Sequence, residues 1–355
     1  MLRQSLPQPP SPHQLFHIWF GLQFGRHLRI AVALALVLAI GCNGNSGQNQ
    51  HVKQTPSADQ QRLEPPRPNG ERLVEYVRTQ LSWGPRVPGT PAHDSCRRWL
   101  IAQLRASADT VFEQRFEVTV YGKRYACTNI LARLFPSRMN RVLLCAHWDS
   151  RPTADEDPIR SNRSKPILGA NDGASGVAVV LELVRLLRQQ PPGDVGIDVA
   201  LFDAEDMGAP SDETMFCLGS KQLVRDFPFP NRPRYGILFD LVGDQEAKFP
   251  IEYNSQTAAE PLVARLWNLG ALYGGGHFVQ QVGGSVVDDH LSLIEFGIPT
   301  ANIIDIELVG NRAANQRRRY WHTLADDLRN ISGETMSSVV RVVLALLYSE
   351  TPFPL

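Results

Sequence analysis

Two histidines and a group of carboxylates stand in short polar contexts, each just after an apolar run or at the mouth of a helical stretch. His147-Trp148-Asp149 ends the run that begins RVLLCA, Asp203-Ala204-Glu205-Asp206 ends IDVALF, and Asp240 sits near the end of YGILFDL. Asp172 lies in GANDGASG, a Gly-rich turn ahead of the helical stretch GVAVVLELVRLLRQQ, and His322, in YWHT, precedes the last helix by a loop. Taken singly, each residue has a plain structural reading. Asp172 fits a helix N-cap, Glu205-Asp206 a solvated turn, and either histidine a buried, hydrogen-bonded ring. Asp240 is harder to explain in this way, because an unpaired carboxylate in an apolar run is expensive to bury. The joint pattern, with nitrogen and oxygen donors at strand ends and helix mouths, is what a zinc site needs.

The elements that must hold these residues follow from periodicity. ERLVEYVRTQL and HDSCRRWLIAQLRA have helical spacing, and VFEQRFEVTV and RYACTNILARL form an antiparallel pair about the Tyr121-Gly122 turn. RVLLCAH, IDVALFD, YGILFDL and TANIIDI are apolar on both faces, as strands covered by helices must be. Helices alternate with them, and ETMSSVVRVVLALLY ends the chain as a helix. The expected fold is α/β, a mostly parallel, doubly wound mixed sheet flanked by helices in a single domain over residues 70–355. Ligands of such sheets gather at the carboxyl ends of the strands, where the candidate residues fall.

The motifs HWDSRP, PILGANDGASG, LFDAEDMG, FDLVGD, VVDDH and YWHT, in this order, resemble those of the glutaminyl-peptide cyclotransferases of bacterial and animal type, and GPRVPGTPAH resembles the segment that opens their catalytic domain. Those enzymes share the phosphorylase/hydrolase-like fold of the co-catalytic zinc aminopeptidases. The resemblance implies that Asp172, Asp206 and His322 bind zinc and that Glu205 is the general acid/base. It implies one zinc ion for a cyclase. A peptidase would hold two ions, with His147 and Asp240 as further ligands and Asp172 bridging.

Both reactions can be written on these residues, and two features tilt the choice toward cyclisation of N-terminal glutamine. By the resemblance, Asp288 forms a hydrogen-bonded carboxyl pair with Asp240, which keeps Asp240 from acting as an ordinary ligand and gives both a catalytic part. Trp321 supplies an aromatic wall for a small side-chain pocket. The chain departs from the animal pattern in having Asp206 where those enzymes carry Glu, and MGAPS lacks the Trp that follows it there. Phe216 is the candidate replacement in the pocket wall. The expected partners are peptide or protein N-termini, met by a monomer.

Charge and the amino terminus bound the rest. Lys+Arg and Asp+Glu both number 36, a balance that excludes any global attraction to nucleic acid. Arg26, His27 and Arg29 precede the apolar run 30–40 and Gly41-Cys42, the pattern of a lipoprotein signal peptide over residues 1–41 with Cys42 acylated. Its long leader suggests a start codon further along the chain. A polar, Gln-, Asn- and Pro-rich tether follows over 42–69. The expected location is outside the cytoplasm, anchored to a bacterial membrane by lipid alone. Cys96, Cys127, Cys145 and Cys217 remain, too sparse for a disulfide framework, with one bridge left open.

Overall fold

A computed structural model describes residues 64–349. The signal peptide, Cys42 and most of the tether lie outside the described residues.

Helix α1 (Gly70–Leu81) starts where the Asn69 side chain accepts the Arg72 N–H, and α2 (Pro91–Arg105) starts where Thr90 accepts the His93 N–H and Pro91 presets the first turn. Strands β1 (Thr110–Val120) and β2 (Lys123–Leu134) follow as a hairpin. Tyr121 and Gly122 both have positive φ, 48° and 79°, the two-residue turn whose twist matches the flanking strands. Next in the chain come β3 (Asn140–His147), α3 (Ala174–Gln189), β4 (Val195–Phe202), α4 (Leu218–Arg225) and β5 (Tyr235–Asp240).

A segment whose elements the periodicity did not delimit then holds β6 (Phe249–Ile251), α5 (Tyr253–Ala258), α6 (Glu260–Tyr273), β7 (Phe278–Val282) and α7 (His290–Glu295). Strand β8 (Thr300–Ile304) and helix α8 (Gly333–Tyr348) complete the chain.

The main sheet has the order β1-β2-β4-β3-β5-β8, and β6 pairs separately with β7. Strands β4, β3, β5 and β8 are mutually parallel, while the β1-β2 hairpin joins antiparallel to β4. The sheet is therefore mixed, with its parallel half carrying the chemistry. Its two faces explain the unbroken apolar runs. Val142, Leu144 and Ala146 of β3 pack into the larger core with α1, α3, α6 and α8, whereas Leu143 and Cys145 point to the other face, against α4 and α7. The chain winds from β3 to β4 on one side and returns past β3 to β5 on the other. This reversal opens a crevice beyond the carboxyl end of β3.

The disulfide left open by the sequence is not formed. Cys96, Cys127, Cys145 and Cys217 are free and buried. Three of them belong to separate core clusters, which puts the sheet and its packing between them.

At the opposite end of the sheet from the crevice, Asp198 of β4 is wholly buried beneath two arginines. It accepts from Arg133 Nε at 2.8 Å and from Arg141 Nε and Nη2 at 2.8 and 2.7 Å. Arg141 is itself fully buried and caps the Phe135, Arg138 and Ile197 carbonyls. Removing the carboxylate leaves a buried guanidinium without its counter-charge. Asp198→Ala is therefore expected to cost about 3–5 kcal/mol of unfolding free energy, read by urea denaturation. A loss below about 1 kcal/mol would show that the arginines do not depend on it.

Candidate active site

Each candidate side chain is delivered by the end of a strand or the start of a helix. His147 is the last residue of β3. Its Nε2 lies 3.1 Å from Asp172 Oδ1 and 3.3 Å from Asp240 Oδ1, and its Nδ1 lies 3.4 Å from Asp149 Oδ1. Asp172 precedes α3, in a turn that packs hard against β3. A Cβ on Gly173 would fall 2.3 Å from His147 Nε2, so only glycine fits there. Asp326 pins the same turn by accepting the Asn171 and Asp172 N–H groups at 2.9 and 3.1 Å. Glu205 and Asp206 leave β4 through Ala204, and Asp240 leaves β5 into Leu241. These two connecting residues and His322 have left-handed φ values of 56°, 50° and 53°. Non-glycine residues held in this region at three corners of one crevice mark places where surrounding contacts override local preference.

His322 Nε2 stands 3.4 Å from Asp206 Oδ1 and 3.6 Å from Asp172 Oδ2, and the Trp321 ring stacks on the imidazole at 3.3 Å between centroids. Asp172 thus belongs to two triads, one with Asp206 and His322 and one with His147 and Asp240, the donor atoms of each lying within 4.8 Å of one another. His147 Nε2, Asp206 Oδ2 and Asp240 Oδ1 are buried without an aligned hydrogen-bond partner. Buried donors that converge unpaired are matched to a cation. Tetrahedral zinc, with bonds of about 2.0–2.1 Å, spaces its ligands by roughly 3.4 Å. The nitrogen-to-oxygen separations of 3.1–3.6 Å suit that spacing.

Burial sets the protonation of the site. It pushes His322 well below the ordinary histidine range, and the charges of Arg151 and His147 add to this, leaving the neutral ring that a ligand must be. Burial also resists charge on His147, but the nearby carboxylates of Asp149, Asp172 and Asp240 outweigh it and raise the ring well above its ordinary value. Glu205 is driven well above the ordinary glutamate range by burial, with Asp206, Asp289 and Asp288 adding to the effect against the pull of His147. Asp240 is pushed up to about 7, first by burial and then by Asp288 and Asp172.

The structure brings Asp172, Glu205, Asp206, Asp240, Asp288, Phe216, Trp321 and His322 to one cavity of about 540 Å³. His147 lies against it through Asp172 and Asp240. Val286, Ile304, Ile306 and Val309 form an apolar wall beside Trp321, and Phe216 stands near the acidic end with the Arg151 guanidinium 5.4 Å from its ring. Asp288 accepts from the Asp289 N–H at 2.6 Å and from Asn302 Nδ2 at 2.7 Å, and its charge acts on Asp240.

Four contributors were not singled out from the sequence. Asp149 accepts the Glu205 and Asp206 N–H groups at 3.1 and 3.3 Å and faces His147, so one carboxylate orients three site residues. Arg151 donates to Asp206 Oδ1 at 2.5 Å and grips Asp155 through Nε and Nη2. Asp326 holds the Asp172 turn, and Cys217 places its thiol 3.3 Å from Glu205 Oε1. The first two lie inside HWDSRP, where only their neighbour His147 carried a signal.

A parallel α/β sheet with a shared-carboxylate donor centre at its strand ends defines a metal-dependent enzyme with the fold of the zinc exopeptidases. The chain belongs to peptidase family M28, whose model matches residues 129–347. It is 25% identical over 296 residues to the glutaminyl-peptide cyclotransferase of Gloydius blomhoffii, covering 73% of this chain and 75% of that one. Among solved structures, a Zn-dependent exopeptidase from Parabacteroides distasonis superposes with a TM-score of 0.76 at 37% identity, covering 81% of this chain and 100% of its own. The glutaminyl cyclase of Tannerella forsythia matches with a TM-score of 0.76 at 36% identity and the same coverage.

The loop that carries Asp288 hangs on Glu252. This wholly buried carboxylate accepts from the Ser255 N–H and hydroxyl, from the Asn254 N–H and from Val286 N, and lies 3.1 Å from His290 Nε2. Burial opposes its charge. The hydrogen bond and charge of His290, together with the Ser255 and Asn254 N–H groups, overcome that and hold it near 2 against an ordinary 4.5. A carboxylate depressed on folding stabilises the native state above its unfolded value and loses that effect as pH falls through the folded one. The contribution is on the order of 3 kcal/mol at neutral pH and fades between about pH 4.5 and pH 2. Urea unfolding of the wild type and Glu252→Gln should show a large gap at pH 7 that narrows at pH 3. A gap independent of pH would refute the assignment.

Proposed function

We propose that the chain is a glutaminyl-peptide cyclotransferase that converts N-terminal glutamine of peptides to pyroglutamate with release of ammonia. The observation that carries this reading is the pairing of a buried acid/base, Glu205, with the Asp172-Asp206-His322 triad at one end of a cavity whose other wall is apolar and aromatic. The similarity to solved glutaminyl cyclases over their whole length supports it.

The substrate's own α-amine attacks its side-chain carbonyl carbon, a carbon–nitrogen bond forms, and the amide nitrogen leaves as ammonia. Asp172, Asp206 and His322 would hold the zinc ion, which when bound would supply Lewis acidity to the side-chain carbonyl. Glu205 takes a proton from the attacking amine and delivers one to the leaving nitrogen, a task for a carboxyl tuned toward neutrality. Cys217 lies against Glu205 Oε1, which leaves Oε2 for the substrate. Trp321, Ile304 and Val286 hold the aliphatic part of the glutamine side chain and exclude water, so that amine and carbonyl meet in a near-attack geometry. Asp240 and Asp288 contribute negative charge beside the amine, which turns cationic as it attacks.

One zinc ion per chain accords with a reaction that activates no water. The second reading is a co-catalytic aminopeptidase, favoured by the shared Asp172 and the complete second triad of His147 and Asp240. Incubation with a Gln-initiated peptide and with an amino-acid anilide separates the two. Ammonia and a mass loss equal to ammonia are expected from the peptide. Free amino acid and two zinc ions per chain would replace this reading with the peptidase.

Glu205→Gln should lower turnover by about 10²–10⁴-fold with the melting temperature preserved. Full turnover in this variant would overturn the role of Glu205. The enzyme is further read as an exported monomer tethered to the membrane through acylated Cys42. Cys42→Ser is expected to move activity from the membrane fraction to the soluble one, and unchanged membrane association would exclude that anchor.

A further inference from the structure

Three of the loops that deliver metal-site residues, those of Asp172, Asp240 and His322, are joined by one buried polar chain. Tyr320, two residues before His322, is 2% exposed. Its hydroxyl donates to Asp244 Oδ2 at 2.6 Å and accepts from Asn171 Nδ2 at 3.1 Å. Asn171 adjoins Asp172, and its Oδ1 accepts the Gly243 N–H at 2.7 Å in the loop that follows Asp240. Arg318 closes the chain, donating through Nε to Asp244 Oδ1 at 2.9 Å and pairing with Asp305, just beyond β8. None of these groups faces the metal position directly. Their hydrogen bonds tie together the segments that carry Asp172, Asp240 and His322.

We propose that Tyr320 is a positioning residue for the metal centre: its hydroxyl locks the Asp172 turn to the His322 loop and so sets the spacing of the zinc ligands. The physical reason is the lack of any alternative partner. The phenol is the junction of a buried carboxylate and a buried amide, and deleting its oxygen removes the partner of Asp244 Oδ2 and of Asn171 Nδ2. The His322 loop would then be tied to the Asp172 turn through Asp326 alone of these contacts, and to the Asp240 loop through Arg318. Asp172 and His322, with donor atoms 3.6 Å apart, would lose the common position on which a zinc ion depends. Trp321, stacked on His322, would move with that loop. The proposal rests on the zinc reading but not on the choice between cyclase and peptidase.

The test is zinc affinity, measured by competition with a chelating dye, for the wild type, Tyr320→Phe and Tyr348→Phe. The Tyr348 hydroxyl binds the Gln190 carbonyl at the far end of α3, about 24 Å along that helix from the Asp172 turn. Its variant therefore reports the cost of losing a tyrosine hydroxyl away from the metal. Tyr320→Phe is expected to weaken zinc binding by about 10- to 100-fold, with turnover lost at low free zinc and recovered as zinc is added. Tyr348→Phe should bind zinc as the wild type does. Equal zinc affinity in both variants, whatever their melting temperatures, would reduce Tyr320 to a structural role and overturn the proposal. Asn171→Ser cuts the same link from the other side and carries the test if Tyr320→Phe does not fold. If the wild type itself binds no zinc, the reading of the metal centre fails instead, a separate outcome.

Discussion

The crevice at the end of β3 concentrates more buried negative charge than any packed interior tolerates unaided. Asp149, Asp172, Glu205, Asp206, Asp240, Asp288 and Asp289 all lie there, little or not at all exposed, with the Arg151 guanidinium beside Asp206. Burying an ionised carboxylate without a partner costs several kcal/mol, so each must be answered. Asp149 is answered by backbone N–H groups and Asp206 in part by Arg151. What remains centres on Asp172 and the unpaired donors of His147, Asp206 and Asp240. A divalent cation removes that remainder, and the surrounding architecture serves to keep the donors apart until it does.

That constraint accounts for otherwise odd local features. Gly173 is required because the Asp172 turn must press against His147, and Gly176 one turn later because a Cβ would meet the Phe239 carbonyl at 2.1 Å. The left-handed Ala204, Leu241 and His322 turn the chain sharply at the strand ends. They aim side chains inward where an extended continuation would carry them past the site. Helix α3 starts two residues after Asp172, so its first-turn N–H groups favour negative charge there. Strands buried on both faces give the rigid base from which such turns can be held in place.

Much of this was legible in the sequence. Strands buried on two faces advertise themselves as apolar runs, and the polar residues that interrupt them at their ends then stand out. Asp172, Glu205, Asp206, Asp240, His147 and His322 stand out together for that reason. The segment 241–299 was less readable. Helices α5 and α7 are six residues each, too short for periodicity to show, and β6 has three residues. The supporting residues were hidden for a different reason. Asp149, Arg151, Tyr320 and Asp326 sit beside motif residues, and only distance in space distinguishes a carboxylate that binds backbone N–H groups from one that faces a ligand. The claims of Asn302 and Asp289 on Asp288 were hidden in the same way.

The departures of this chain from the animal pattern form one coupled set. Asp206 is a methylene shorter than glutamate, and Arg151 reaches in to hold Oδ1, so the shorter side chain is fixed from behind while Oδ2 stays unpaired. Phe216 pairs with Asp206 in an isolated antiparallel bridge and lies within cation–π range of the same Arg151. Its ring occupies space that Gly208 leaves open, since a Cβ there would fall 2.1 Å from the ring carbons. The aromatic wall absent from MGAPS is thus supplied ten residues after Asp206, and glycine at 208 is the condition for it. Replacing Asp206 alone with the longer acid would press on Arg151 and Phe216 together. Changes at any of these positions must therefore be considered in combination with the others.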